Sequence, residues 1–196
     1  MNLTPVTLQG THVRLEPLAL EHLDGLMEAG TEAEIWIYTP SAATSREVMK
    51  AYIETALDWR KAGTALPFAT IDEASGKIIG STRFANIVPE HKRVEIGWTW
   101  INPRYQRTGI NTEAKYLMMR YAFERLDCNR VELKTNALNM KSRNAILRIG
   151  AKEEGTLRSH MVNPDGTLRD TVYFSVIRPE WPDVKQRLEK MMASYK

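Results

Sequence analysis

Val13, Leu15 and Pro17 alternate with Arg14 and Glu16, a two-residue period that predicts a short strand, and residues 18–30 then read as a short helix ending at Gly30. Over 45–61 the apolar positions Val48, Tyr52, Ile53, Ala56, Leu57 and Trp59 recur near helical spacing, with Thr44 or Ser45 as N-cap and Gly63 as the stop. Residues 66–71 and 77–87 are strand-like, and the small and polar residues 72–76 between them suit a hairpin loop. A third strand of this meander spans 93–102. Strict alternation puts Val94, Ile96, Trp98 and Trp100 on one of its faces and Glu95, Gly97, Thr99 and Ile101 on the other, which predicts a central position. Ala114, Leu117, Met118, Tyr121 and Ala122 give the clearest helical pattern in the chain. Val131, Leu133 and Thr135 predict a further strand, and 139–149 a short helix closed by Gly150. Two long strands then turn at Asn163, Pro164, Asp165 and Gly166. The tail from Glu180, with Trp181, Val184, Leu188 and Met191, predicts a helix packed on the outside. Without a repeat, linker or biased segment, residues 1–196 read as a single domain, 179–196 being a C-terminal helical extension. The order of elements gives a mixed α+β fold class, three layers about a central sheet.

Composition narrows the function classes. At 196 residues, 43% hydrophobic and 26% charged, the chain has the material for one packed core and none of the bias of a disordered or fibrous protein. Lys and Arg exceed Asp and Glu by 27 − 24 = 3, which permits a polyanionic partner without requiring one. The one cysteine, Cys128, excludes an internal disulfide and a four-cysteine metal site and fits a reducing compartment. His12, His22, His91 and His160 are scattered, so no metal is expected. No apolar run approaches the roughly 20 residues of a membrane span, and the first residues lack the basic-then-apolar build of a signal peptide. A soluble, cytoplasmic protein is the expectation.

The chemistry concentrates after the central strand. A loop carrying Gln106, Arg107, Thr108 and Gly109 leads into the clearest helix, and such an arrangement presents unpaired N–H groups and the positive end of a helix dipole to an anion. Gly109 lets the backbone approach closely, Gln106 and Arg107 offer side-chain contacts, and Asn111 or Thr112 is positioned to cap the helix. A glycine turn before a helix reads the same way with no ligand at all. Neither the G-x-x-x-x-G-K-[ST] nor the G-x-G-x-x-G pattern occurs, which demotes nucleotide hydrolysis and hydride transfer.

The run Gln106-Arg107-Thr108-Gly109-Ile110-Asn111 resembles the Q/R-x-x-G-x-G/A acyl-CoA loop of the GNAT superfamily of N-acetyltransferases, placed as in that family between a Trp-rich strand and a long helix. Asn139, Ser142 and Gly150 match its N-x-x-[SA]…G helix. The late Pro-Asp-Gly hairpin and the Arg-Asp-x-x-Tyr-Phe-Ser strand at 169–175 are similar to the RimJ/RimL-type branch. The resemblance runs from Val13 to about Pro182, and Asn111 departs from it by standing where Gly or Ala is usual. It implies a GNAT-like fold with a splayed, mostly antiparallel sheet, and acetyl-CoA as cofactor. The pantetheine arm would lie between strands 93–102 and 130–136, along the backbone of Trp100, Ile101 and Asn136. The pyrophosphate would rest on Gln106, Arg107, Thr108, Gly109, Ile110, Asn111 and Thr112, with Asn139 and Ser142 near the pantetheine or the departing sulfur and Arg143 on the same wall.

Acetyl transfer to an amine needs a neutral amine, a donor to the developing oxyanion and a proton for the leaving thiolate. The resemblance assigns the second to a backbone N–H of the central strand. Glu95 is the nominee for general base, lying on that strand opposite Trp98 and Trp100; its alternative is a cross-strand partner for Arg83 or Lys92. Many GNAT enzymes take the thiolate's proton from a tyrosine at the position of Ile146, so Ser142 is the nominee here, the alternative being a helix-capping role. Trp36 and Tyr38 either wall the acceptor pocket or pack in the core, and His160 either touches substrate or faces solvent. The resulting expectation is an N-acetyltransferase moving an acetyl group directly from acetyl-CoA to a primary amine, on a protein N-terminus or a small molecule. The alternative is a non-catalytic acyl-CoA-binding module. Dispersed basic residues argue against nucleic acid, no membrane contact is expected, and a homodimer fits the resemblance.

Overall fold

The structure, a computed structural model, describes residues 1–39, 42–163 and 165–195. Eight strands form one sheet in the order β1-β2-β3-β4-β5-β6-β8-β7. They are β1 Leu8–Gln9, β2 Val13–Pro17, β3 Leu66–Asp72, β4 Ile78–Val88, β5 Arg93–Ile101, β6 Arg130–Asn136, β7 Lys152–Val162 and β8 Leu168–Ile177. All neighbours are antiparallel except β5 and β6, which run parallel because helix α3, Gly109–Glu124, carries the chain across between them. Helix α1, Leu23–Ala29, and helix α2, Arg46–Lys61, cover one face through Leu26, Met49, Tyr52 and Ile53, packed with Trp36 and Trp100. On the other face α3 and helix α5, Trp181–Ala193, pack on Phe84, Val94, Val131 and Phe174. Helix α4, Met140–Arg148, closes the end beyond β6 and adds Ile146 to that second core.

Local chemistry explains the boundaries. Ser45 caps α2 by accepting a hydrogen bond from Val48 N, and Gly63 at φ +73° turns the chain out of it. In the late hairpin Asp165 accepts from Thr167 and Gly166 takes φ +82°; Pro164 of the predicted turn, and Lys196 of the predicted tail, lie outside the described residues. The C-terminal helix inserts Trp181, Val184 and Leu188 into the core, with Trp181 stacked on Phe123 at 5.3 Å. Cys128 is buried beneath it all, and burial pushes its thiol up to about 11.

Two features depart from an ideal sheet. The alternation expected along β5 fails at Trp98, which takes φ +50°. Ser81 of β4 pairs with Trp100 while Arg83 pairs with Gly97, so β5 spends one extra residue there, a bulge that turns its side chains over. Val94, Ile96 and Ile101 therefore share the α3 face, and Trp98 and Trp100 pack on the α1–α2 face. The second departure is the helix latch. Glu113 of α3 is buried and accepts backbone hydrogen bonds from Thr11, His12 and Val13 at 2.8, 2.6 and 2.9 Å. Gly10 makes room for it, since a Cβ there would stand 2.5 Å from the carboxylate.

Candidate active site

Strands β5 and β6 pair only at Arg93 with Arg130, Val94 with Val131 and Glu95 with Glu132. Beyond that point β5 stays with β4 as far as the Gly80–Ile101 pair, and β6 stays with β8 as far as Asn136–Thr171, so the two central strands part and leave backbone groups facing a gap. The open end of the gap meets the first turn of α3. Thr108 caps that helix, accepting from Ile110 N at 3.3 Å and donating to Tyr105 O at 2.8 Å; this corrects the expectation of Asn111 or Thr112 as cap, since the helix already starts at Gly109. Arg107 takes the left-handed conformation, φ +61°, and is exposed beside the N–H groups of the first turn. Asn111 Oδ1 is buried there with no hydrogen-bond partner among the described residues.

Two residues distant in the chain join this loop with no local pattern to announce them. Arg148, at the end of α4, donates to Thr112 Oγ1 at 3.0 Å and to the Tyr195 hydroxyl at 3.2 Å, and the Tyr195 ring lies against Gly109, where a Cβ would meet it at 3.2 Å. Gln106 turns inward and donates to Ile101 O at 2.8 Å, holding the end of β5 rather than facing outward. The donors that remain, the first-turn N–H groups other than that of Ile110 with Arg107 and Arg148 beside them, fit a diphosphate, which has only acceptors.

At the root of the gap Glu95 is buried, 2% exposed. Because of the bulge it shares a face with Trp98 instead of opposing it. Its Oε2 takes both Lys134 Nζ, 3.0 Å away, and Asn86 Nδ2, at 2.7 Å; its partners are these two and neither Arg83 nor Lys92, the latter paired with Asp127. Oε1 carries no hydrogen bond among the described residues, and Gly97 keeps the space before it clear, because a Cβ there would come within 2.8 Å. Lys134 lies over the Trp98 and Tyr173 rings, and His160, exposed on β7, meets Tyr173 edge-on at 5.8 Å.

Asn139 is the N-cap of α4, its Oδ1 accepting from Ser142 N at 2.9 Å, so Ser142 receives the cap and does not provide it. Ser142 is half-buried, in the first turn of α4. Asn136 Oδ1 accepts from Leu138 N at 2.9 Å, and Arg143 is drawn to Ala137 O and Glu153. Trp36 lies in the core, tilted against Trp100 at 5.0 Å with its indole N–H donating to Gly30 O at 2.9 Å, whereas Tyr38 is exposed. A hollow of about 550 Å³ beside α5, lined by Gly150, Lys152, Glu180 and Arg187 among others, includes none of these residues. Among the described residues no group of His, Cys, Asp and Glu could hold a metal, and no helix is long and apolar enough to cross a membrane.

The geometry has close counterparts. Over 157 residues the chain is 32% identical to the "Putative ribosomal N-acetyltransferase YdaF" of Bacillus subtilis, a match covering 76% of this chain and 80% of that protein. It superposes on a GCN5-related N-acetyltransferase of Brucella melitensis with a TM-score of 0.90 and 34% identity, over 97% of this chain and 86% of that one. RimJ of Mycobacterium smegmatis, solved in complex with CoA-disulfide, shares the fold at a TM-score of 0.82 and 19% identity, over 96% of each chain. The family model of the acetyltransferase (GNAT) domain matches residues 12–152. GNAT acetyltransferases use acetyl-CoA, and this chain, an acyltransferase, belongs to the GNAT acetyltransferase family.

Proposed function

We propose that the chain moves an acetyl group from acetyl-CoA directly to a primary amine, borne by a protein N-terminus or by a small molecule. The observation that carries this reading is the gap opening after the Glu95–Glu132 pair, with a capped helix N-terminus at one end and a buried carboxylate at its root. When bound, acetyl-CoA supplies the thioester. The N–H groups of 107–112 receive its pyrophosphate, Arg107 and Arg148 add positive charge there, and the unpaired edges of Trp100, Ile101 and Asn136 line the pantetheine, with Asn139 and Ser142 near its sulfur.

Lys134 and Asn86 both engage Glu95 at Oε2, which leaves Oε1 to take a proton from the amine, directly or through one water. Ser142 gives its hydroxyl proton to the departing sulfur and regains one from water, while Glu95 releases the amine's proton to water. Tyr38 and His160, both exposed, border the side from which the acceptor enters. Isothermal titration with acetyl-CoA tests the first half of the reading. A panel of peptides, polyamines, amino acids and aminoglycosides, scored by release of the CoA thiol, tests the second. Binding without thiol release from any amine would leave an acyl-CoA-binding module.

A further inference from the structure

Seven buried side-chain polar atoms lack a hydrogen-bond partner among the described residues, and five of them stand on the α1–α2 face of the sheet around the strand gap. They are Arg83 Nε and Nη2, Trp100 Nε1, Arg169 Nε and Thr171 Oγ1. Four of these five are N–H donors that accept nothing in return. A buried guanidinium with unmet donors is costly, more so than a neutral group, so such a cluster is a place built for an acceptor that the chain does not itself provide.

Arg83 is 1% exposed and sits opposite the bulge, its guanidinium 4.6, 5.4 and 5.2 Å from the rings of Tyr52, Trp59 and Trp98. Lys134 Nζ lies 5.9 Å from the same Trp98 ring and 5.8 Å from Tyr173, which shares a face of β8 with Arg169 and Thr171. Arg169 is 7% exposed, and burial holds its guanidinium below its ordinary value although Glu95 acts the other way. Lys134 and Arg169 therefore share one carboxylate, already taken by Lys134, and Arg83 lies against the same Trp98 ring as Lys134.

We propose that the acceptor is an amine that also bears a carboxylate, and that Arg83 and Arg169 receive that carboxylate while the amine lies toward Glu95. A planar fork of donors matches a carboxylate better than it matches any neutral group. The same juxtaposition disfavours polyamines, whose second cation would face the two arginines. The inference rests on the acetyl-transfer reading, and it names the chemistry shared by two sources, a free amino acid and a peptide with an acidic residue near its N-terminus.

The test compares matched acceptors at saturating acetyl-CoA: amino acids against their amides, and peptides with Asp or Glu at the second position against the same peptides with Asn or Gln. The acid-bearing member of a pair is expected to show a kcat/KM at least tenfold higher, and whichever series shows the larger ratio identifies the source. Arg83→Met and Arg169→Met should each raise KM for the acid-bearing acceptor about tenfold while the Kd for acetyl-CoA stays within twofold. Because Arg83 is buried, the comparison on the unaltered protein stands independently of whether that variant folds. Equal or faster turnover of the amides overturns the proposal alone. Binding of acetyl-CoA with no amine acetylated overturns the transfer reading together with it. A preference that survives in both folded variants overturns the assignment to these arginines.

Discussion

Glu95 and Lys134 face each other at 3.0 Å, on neighbouring parallel strands that part within one residue of that contact. The pair fixes a carboxylate where the sheet opens. Glu95→Gln keeps the shape and removes the base, so kcat should fall about a hundredfold. Acetyl-CoA affinity should hold within about twofold. Stability should drop by about 2 kcal/mol, because Lys134 loses its partner where it is only 18% exposed. An unaltered kcat removes Glu95 as the base.

Ser142 and Asn139 separate cleanly. Asn139 is the cap of α4, so Asn139→Ala should cost about 1 kcal/mol in chemical denaturation. Ser142→Ala leaves that hydrogen bond intact, since only its backbone N–H is used, and should lower turnover about tenfold with an unchanged denaturation midpoint. Wild-type turnover in Ser142→Ala would take the proton-donor role from this residue.

Gly109→Glu places a carboxylate at the helix N-terminus that otherwise offers free N–H groups, and a side chain there also meets the Tyr195 ring. Acetyl-CoA binding should fall by more than a hundredfold in isothermal titration while the far-ultraviolet circular dichroism is kept. Retained affinity would move the pyrophosphate away from this loop.

Lys115 carries a pH signature. It is buried in α3, donates to Thr99 Oγ1 at 2.8 Å, and burial lowers its ammonium from 10.5 to about 7. Above pH 7 the unfolded chain holds this proton and the folded one does not, so stability contributed by this group rises between pH 7 and 10.5 and is at its lowest below pH 7. Lys115→Met should be more stable than the parent at pH 6, by up to about 5 kcal/mol, and the advantage should shrink steadily toward pH 10. A constant difference across that range would contradict the lowered value.

The sequence carried the element order, the α3 pattern and the loop, because each is written in local periodicity or in a run of adjacent residues. It failed at Trp98. A tryptophan gives no sign that it will take φ +50°, and one extra residue exchanges the faces of everything after it, which is why Glu95 was expected opposite Trp98. The cap slipped to Thr108 for a similar reason, since Thr108, Asn111 and Thr112 are all competent caps and only the packed loop selects one. Arg148, Tyr195, Lys134 and Asn86 reach the site through contacts distant in sequence, which no local pattern encodes.

The Glu113 latch joins the outermost turn of the sheet to the helix whose first residue is Gly109, only four positions away. The aim of the loop is thereby set from the rim of the molecule. A methyl group at Gly10 would push on the Glu113 carboxylate and, through a helix that is rigid along its axis, tilt the cradle of N–H groups at its end. Residues 10–13 thus act as a set screw, and a substitution at Gly10 is expected to change acetyl-CoA affinity from a turn at the rim of the sheet.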